Sequence, residues 1–366
     1  MATSRLHQLS ALGQSIWIDS LSREMLETGE LERLVREDAV VGVTSNPTIF
    51  EKALSTGNRY DEQLTELVER EDDPKEIFIA LAVRDVQSAC DLLRPTWERT
   101  DRTDGRVSIE VDPDIAYDRD ATIAEALRLH DLVGRPNVYV KIPATEPGLG
   151  AIEECIAAGK PINVTLVFSL ERYAAVVEAY VRGVERLLES GGDPDRVDSV
   201  ASFFVSRVDT EADRRLAELG HDDLAGKLAV ANAKLAYRHY LDVFGGERWK
   251  ALAEQGARVQ RCLWASTSTK NPAYSDVLYV DELIGPDTVN TMPLETVEAF
   301  QDHGTVRETL TGGIDAAQAL FDEIADAGVD YDDVVDVLER EGVAKFSDSF
   351  AHLLSGIEAR RGALAV

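Results

Sequence analysis

The chain has 366 residues, 44% of them hydrophobic and 29% charged, which is enough apolar material for a sizeable core and excludes a disordered or fibrous protein. A formal charge of −29, from 38 basic and 67 acidic residues, argues against nucleic acid or an anionic membrane as partner. No apolar run approaches the ~18 residues of a membrane span, and the opening MATSRLHQLSALGQS lacks the basic-then-apolar layout of a secretory leader.

The plain reading of the acidity is solubility, with adaptation to high salt as the alternative. An anionic substrate would have to be held by a local cluster of Lys and Arg against the long-range field. Cys90, Cys155 and Cys262 are odd in number, far apart and in no CxxC, which fits a reducing cytoplasm.

In chain order, β-rich runs are expected at Ser15–Asp19, Val40–Thr44, Arg106–Asp112, Asn137–Pro143, Pro161–Val167, Ser199–Val205, Arg258–Ser266 and Thr288–Met292. Helical patterns lie between them, at Leu21–Arg36, Ile77–Leu93, Thr122–Val133, Leu170–Glu189 and Leu224–Phe244. Asp73-Pro74-Lys75-Glu76 reads as a helix start, with an Asp cap and Pro at the first position. Strands separated by helices imply right-handed parallel crossovers, and eight such units imply a closed barrel. The expected fold is α/β, a single (β/α)8 TIM barrel over 1–366. It carries an N-terminal helix, inserted helices around 72–105 and two or three C-terminal helices after Gly313 that end in Phe346–Arg360.

The strands alternate. Val107, Ile109 and Val111 oppose Ser108, Glu110 and Asp112; Val138, Val140 and Ile142 oppose Tyr139 and Lys141; Ile162, Val164 and Leu166 oppose Asn163 and Thr165; Ile16 and Ile18 oppose Trp17 and Asp19; Thr44 and Asn46 oppose Val41 and Val43. One face suits a cover of helices, and the other turns polar towards each C-terminal end. An antiparallel sheet with one wet face would alternate too, but long helical crossovers do not join hairpin strands. A barrel lumen that turns polar at its C-terminal mouth, where barrel active sites sit, accounts for both features.

There is no GxGxxG and no GxxxxGK[ST], so a nucleotide cofactor is unsupported. The six histidines form no HxH or HExxH, which argues against a zinc-dependent mechanism. Asn163-Val-Thr165 matches a glycosylation sequon by chance, inside an expected buried strand. What remains is Lys141 on one strand, with Asp19 and Glu110 on others. A lysine in a barrel mouth can serve as a nucleophilic amine; a structural Lys–Glu pair fits the same pattern equally well.

Three ordered motifs decide between these. Gly42-Val-Thr-Ser-Asn-Pro-Thr-Ile-Phe50 resembles the first signature of transaldolases. Val138-Tyr-Val-Lys-Ile-Pro-Ala-Thr145, followed by Ile162-Asn-Val-Thr-Leu-Val-Phe-Ser169, resembles the second, which carries the Schiff-base lysine. The similarity runs from about Ile16 to Asn271, with a family-like helical tail. It implies that Lys141 forms the Schiff base and that Asp19 handles the C4 hydroxyl proton. Glu110 is then the acid/base group, working through a water shared with Thr165. Asn46, Asn163, Ser202 and Phe204 would bind substrate, with Arg207, Ser266 and Lys270 at its phosphate.

The chain departs from shorter members, which have a proline and a glycine where Phe203 and Ser206 stand here. Their arginine close after the strand-seven serine is missing, and Lys270 in Ser266-Thr-Ser-Thr-Lys-Asn271 is offered instead. Lys is a point charge and Arg a planar fork, so the two are not equivalent. The whole resembles the longer subfamily. It implies transfer of a dihydroxyacetone unit between sugar phosphates, with no cofactor and no metal, in a cytoplasmic monomer or homodimer. The rivals are a fructose 6-phosphate aldolase, whose relatives are shorter and carry Gln and Tyr at positions 110 and 204, and a non-catalytic sugar-phosphate-binding barrel.

Overall fold

The computed structural model describes residues 4–364. Residues 1–3, the start of the segment read for a leader, lie outside them, as do 365 and 366. Eight parallel strands close into a barrel in the order β1 to β8: β1 Gln14–Ile18, β2 Val40–Val43, β3 Arg106–Glu110, β4 Val138–Pro143, β5 Ile162–Val167, β6 Ser199–Phe204, β7 Gln260–Ala265 and β8 Thr288–Met292. The expected α/β barrel is therefore the observed one, each strand falling within two residues of its expected bounds. Val138, Val140, Ile142, Ile162 and Val164 are buried on the outer face beneath the helices, as their alternation requires. No helix among the described residues is long and apolar enough to cross a membrane.

Register matters most for the site. Glu110 on β3 pairs with Lys141 on β4, and Lys141 pairs with Asn163 on β5. Three polar side chains of matching parity thus share one level of the lumen. Below them the lumen does not become apolar. Arg106 is ion-paired with Asp198, whose other oxygen accepts the Tyr139 hydroxyl at 2.7 Å. Arg261 meets Asp104 at 3.1 Å and Ser15 at 2.8 Å, and the Trp17 indole donates to Asp104 at 3.2 Å. A buried, hydrogen-bonded plug therefore closes the N-terminal end. The expectation of polarity only towards the C-terminal ends was too narrow.

Other expectations need correction at the level of elements. Leu21–Arg36 is two helices, Arg23–Glu27 and Glu30–Glu37, because Gly29 between them takes a left-handed φ of 78°. Residues 72–105 hold one long helix, Pro74–Arg99, rather than several; its Asp73 cap accepts from Lys75 N–H as expected. The additional helices precede it, at Pro47–Ser55 and Asp61–Val68. Leu228–Phe244 starts four residues late, after Gly226 at φ 74°. The tail is two helices, Ile314–Asp326 and a 34-residue helix Tyr331–Leu364. Leu166 breaks the alternation of β5: its φ is +58°, the register to β6 shifts there, and its side chain meets the last helix at Gly342.

Candidate active site

Lys141 projects from β4 into the C-terminal mouth and is buried. Its Nζ lies 3.1 Å from Glu110 Oε2, each side chain only 5% exposed, and it donates to the Ser45 carbonyl at 3.1 Å. Burial pushes the Glu110 carboxyl above its usual range; Lys141 opposes that shift, and the charge of Asp19 adds to it. Asp19 follows β1 and accepts from Thr44 Oγ1 at 2.7 Å. Desolvation lifts its carboxyl too, against the pull of Lys141. Two carboxyls whose proton affinity burial raises therefore stand near one amine.

Asn163, level with Lys141, is fully buried. Its amide donates to Ser108 Oγ at 3.1 Å and its carbonyl oxygen accepts from Ser202 Oγ at 2.7 Å. This chain fixes the Asn163 side chain and ties β3, β5 and β6 together. Thr165 is also buried, yet its hydroxyl has no hydrogen-bond partner among the described residues. An orphaned hydroxyl facing a cavity is what a bound water or substrate would satisfy. Asn46 caps the helix Pro47–Ser55 by accepting from Ile49 N–H at 3.0 Å.

A cavity of about 300 Å³ opens on these groups, lined by Asp19, Asn46, Lys141, Thr165, Ser202, Phe204, Arg207, Ser266 and Lys270. Glu110 and Asn163 stand directly behind its wall, through Lys141 and Ser202. Every residue singled out from the sequence is thus brought to one place. The Arg207 guanidinium lies 5.0 Å from the Phe204 ring and 6.0 Å from the Phe346 ring. It makes no hydrogen bond or ion pair among the described residues, so its donor fork is unspent, and burial lowers its proton affinity. Ser266, at φ 56°, meets Ser206 Oγ at 2.8 Å. Among the described residues Lys270 bonds only Ser268 Oγ, at 2.6 Å.

Sequence reasoning missed Lys345 and Phe346, which the last helix brings to the same cavity, and Lys52, which also lines it. The Lys345 ammonium is pushed below its usual value first by Arg207, then by burial, then by Lys270. Lys52, Arg207, Lys270 and Lys345 thus form a cationic rim in which no member has a carboxylate within ion-pair distance among the described residues. No local signal marks Lys345: it sits in an acidic helix far along the chain from the strand ends. Thr44 and Thr291, bonded to each other at 2.7 Å, also line the cavity and were not singled out for the site.

A larger cavity, about 850 Å³, lies against the N-terminal ends of β4 and β5, beside Val138 and Pro161. Its cations are already paired: Arg94 with Glu98, Arg102 with Asp195, Arg135 with Asp91, Lys160 with Asp131 and Arg196 with Asp193. Chemistry rather than size therefore favours the C-terminal cavity. Among the described residues, no group of three or more His, Cys, Asp and Glu side chains is placed to hold a metal ion.

The sequence matches the family described as transaldolase/fructose-6-phosphate aldolase over residues 16–357. A protein of Acidothermus cellulolyticus named transaldolase is 55% identical over 358 residues, covering 97% of this chain and 96% of its own. Proteins of the same name from Mycolicibacterium paratuberculosis and Frankia alni are 52% and 51% identical, each covering 98% of this chain and 97% of its own. With a match across most of its length and relatives above half identity end to end, this chain belongs to the transaldolase/fructose-6-phosphate aldolase family.

Proposed function

We infer that the chain is a transaldolase. It moves a dihydroxyacetone unit from a ketose phosphate, such as fructose 6-phosphate or sedoheptulose 7-phosphate, to an aldose phosphate such as erythrose 4-phosphate or glyceraldehyde 3-phosphate. The observation that carries this reading is a buried amine 3.1 Å from a carboxyl, in a cavity rimmed by cations that have no carboxylate partner among the described residues. The name shared by the relatives supports transfer over release of free dihydroxyacetone.

The positions support one sequence of steps. Lys141 passes a proton to Glu110, and the neutral amine attacks the C2 carbonyl. Glu110 returns a proton as the carbinolamine loses water, with the free Thr165 hydroxyl available to hold that water. The iminium then withdraws electrons from C3. Asp19 takes the C4 hydroxyl proton, the C3–C4 bond breaks, and an aldose phosphate leaves. The enamine stays on Lys141 until a second aldose arrives, accepts the new bond and takes the proton back from Asp19. Hydrolysis of the final imine frees the amine. Asn46, Asn163 and Ser202 orient the sugar, while Arg207, Ser266 and Lys270 hold its phosphate. This is ping-pong chemistry, and the enzyme would serve the non-oxidative pentose phosphate route. A cytoplasmic setting is supported by three buried, unpaired cysteines.

The test is borohydride reduction in the presence of fructose 6-phosphate, followed by peptide mapping. The expected result is a reduced three-carbon or six-carbon adduct on the Lys141 peptide. A folded Lys141→Arg protein should give none, and no transfer, because arginine keeps its proton. An adduct elsewhere, or full activity in Lys141→Arg, overturns the assignment.

A further inference from the structure

We propose that Tyr274 and Asp213 form a latch that positions Lys270 against Arg207, and through Lys270 sets the affinity for phosphorylated substrates. This rests on the reading of the site given above. Lys270 sits in the segment 266–277 between β7 and the helix Leu278–Glu282. It is exposed and, among the described residues, is bonded to a neighbouring serine alone, so its place depends on how the segment is tied down.

The near end is tied by Ser266, through its hydroxyl contact with Ser206 at 2.8 Å and by accepting Ser206 N–H at 3.0 Å. Thr267 adds a bond to Asn290 at 2.9 Å. The far end is tied by Tyr274, whose hydroxyl donates to Asp213 Oδ2 at 2.7 Å. Asp213 Oδ1 is fixed in turn by Gly226 N–H at 2.8 Å. The Tyr274 ring lies flush on that glycine: a Cβ at Gly226 would come within 2.7 Å of it, and Gly226 itself needs φ 74°. Between the ends the segment is stiffened internally. Thr269 Oγ1 donates to Ser275 O at 2.7 Å and Ala273 N–H to Asn271 Oδ1 at 2.9 Å, while Tyr274 N–H reaches Asn271 O at 3.1 Å. Movement at Tyr274 is therefore passed to Lys270, four residues away.

The anchor is what makes this a functional arrangement. Asp213 lies on the helix Ser206–Leu219, which also carries Arg207 one residue from its start. The two positions are about 9 Å apart along the axis. One rigid element thus sets both cations, Arg207 directly and Lys270 through the tyrosine–carboxylate bond. Asp209, one turn before Asp213, repeats the device by accepting from Tyr279 at 2.9 Å. An O–H···O⁻ bond is among the stronger ties available to a surface segment.

The variants are Tyr274→Phe, Asp213→Asn, Lys270→Ala and the pair Tyr274→Phe with Lys270→Ala. Each is assayed with fructose 6-phosphate and with unphosphorylated fructose, and binding of inorganic phosphate is measured by calorimetry. Tyr274→Phe is expected to raise KM for fructose 6-phosphate roughly three- to tenfold. It should leave kcat and the efficiency on fructose within about twofold, and weaken phosphate binding by a like factor. Asp213→Asn should do the same, and the Tyr274→Phe effect should vanish once Lys270 is alanine. A Tyr274→Phe effect that persists in full without Lys270, an equal loss on both donors, or no effect in either variant overturns the latch. Phosphate binding needs no turnover, so it tests the latch even if the parent chain fails to transfer, an outcome that would refute the reading of function separately.

Discussion

Arg207 holds its guanidinium against two aromatic rings with no hydrogen bond or ion pair among the described residues, whereas Lys270 and Lys345 reach the same cavity as exposed, flexible side chains. A planar fork that is already oriented loses little freedom on gripping a phosphate. We expect Arg207→Ala to cut catalytic efficiency on phosphorylated donors roughly ten- to hundredfold, Lys270→Ala or Lys345→Ala less, and none of the three to affect unphosphorylated fructose much. Equal losses on both donors for Arg207→Ala would place the phosphate elsewhere. Arg207 was legible in the sequence because it follows the end of strand six, within the length over which the chain resembles the family. Lys345 was not, because helical periodicity does not say which turn of a peripheral helix will pass over a barrel mouth. Asp209 carries a second residue-scale consequence. Burial raises its carboxyl to about 7, while the Ala229 N–H and Tyr279 bonds pull the other way. The folded chain therefore binds this proton more tightly than the unfolded chain. The stability that it contributes is complete below the ordinary carboxylate range and is lost as pH rises through about 7. Asp209→Asn removes that titration, so the variant should gain on the parent by about 2–3 kcal/mol between pH 5 and pH 8. Chemical denaturation at the two values checks it; an unchanged difference contradicts it.

Strands were the easiest elements to read, because a helix-covered face must be apolar and every second residue declares it. Three of the misreadings share a cause. Gly29, Gly226 and Leu166 redirect the backbone through positive φ, and alternation or helical period carries no trace of that until the chain is folded. The lower plug was hidden for a different reason: Arg106 and Arg261 look like surface residues at strand starts until Asp198 and Asp104 are seen to meet them. Gly42 shows how tightly this layer is filled. A Cβ there would fall 2.5 Å from three atoms of the Trp17 ring, so β1 can bury its tryptophan in the lumen only because β2 offers a glycine. Gly42→Ala should cost about 1–3 kcal/mol through overpacking, seen as a lower thermal midpoint, and pairing it with Trp17→Phe should recover part of the loss. A Gly42→Ala protein as stable as the parent would show that the layer has slack.

Across the whole molecule, charge is sorted rather than spread. Most surface cations are neutralised in place, as in Arg248 between Glu178 and Glu185 and Arg186 between Glu153 and Glu154. Such pairs add little stability one by one. Their effect here is spatial: they leave the mouth as a cationic spot on a chain of −29, which is the local cluster that the net charge called for. The last helix completes that spot. Lys345 and Phe346 line the cavity, and Ser349 on the same helix is joined to Thr48, another lining residue, at 2.8 Å. Chains are made from the N-terminus and fold in that direction as they emerge. A ribosome therefore delivers the amine at 141, its carboxyls and all eight strands well before the residues that roof them. Lys141 and its flanking carboxyls are synthesised early, but the cavity onto which they face is complete only after Lys345 and Phe346 have been added.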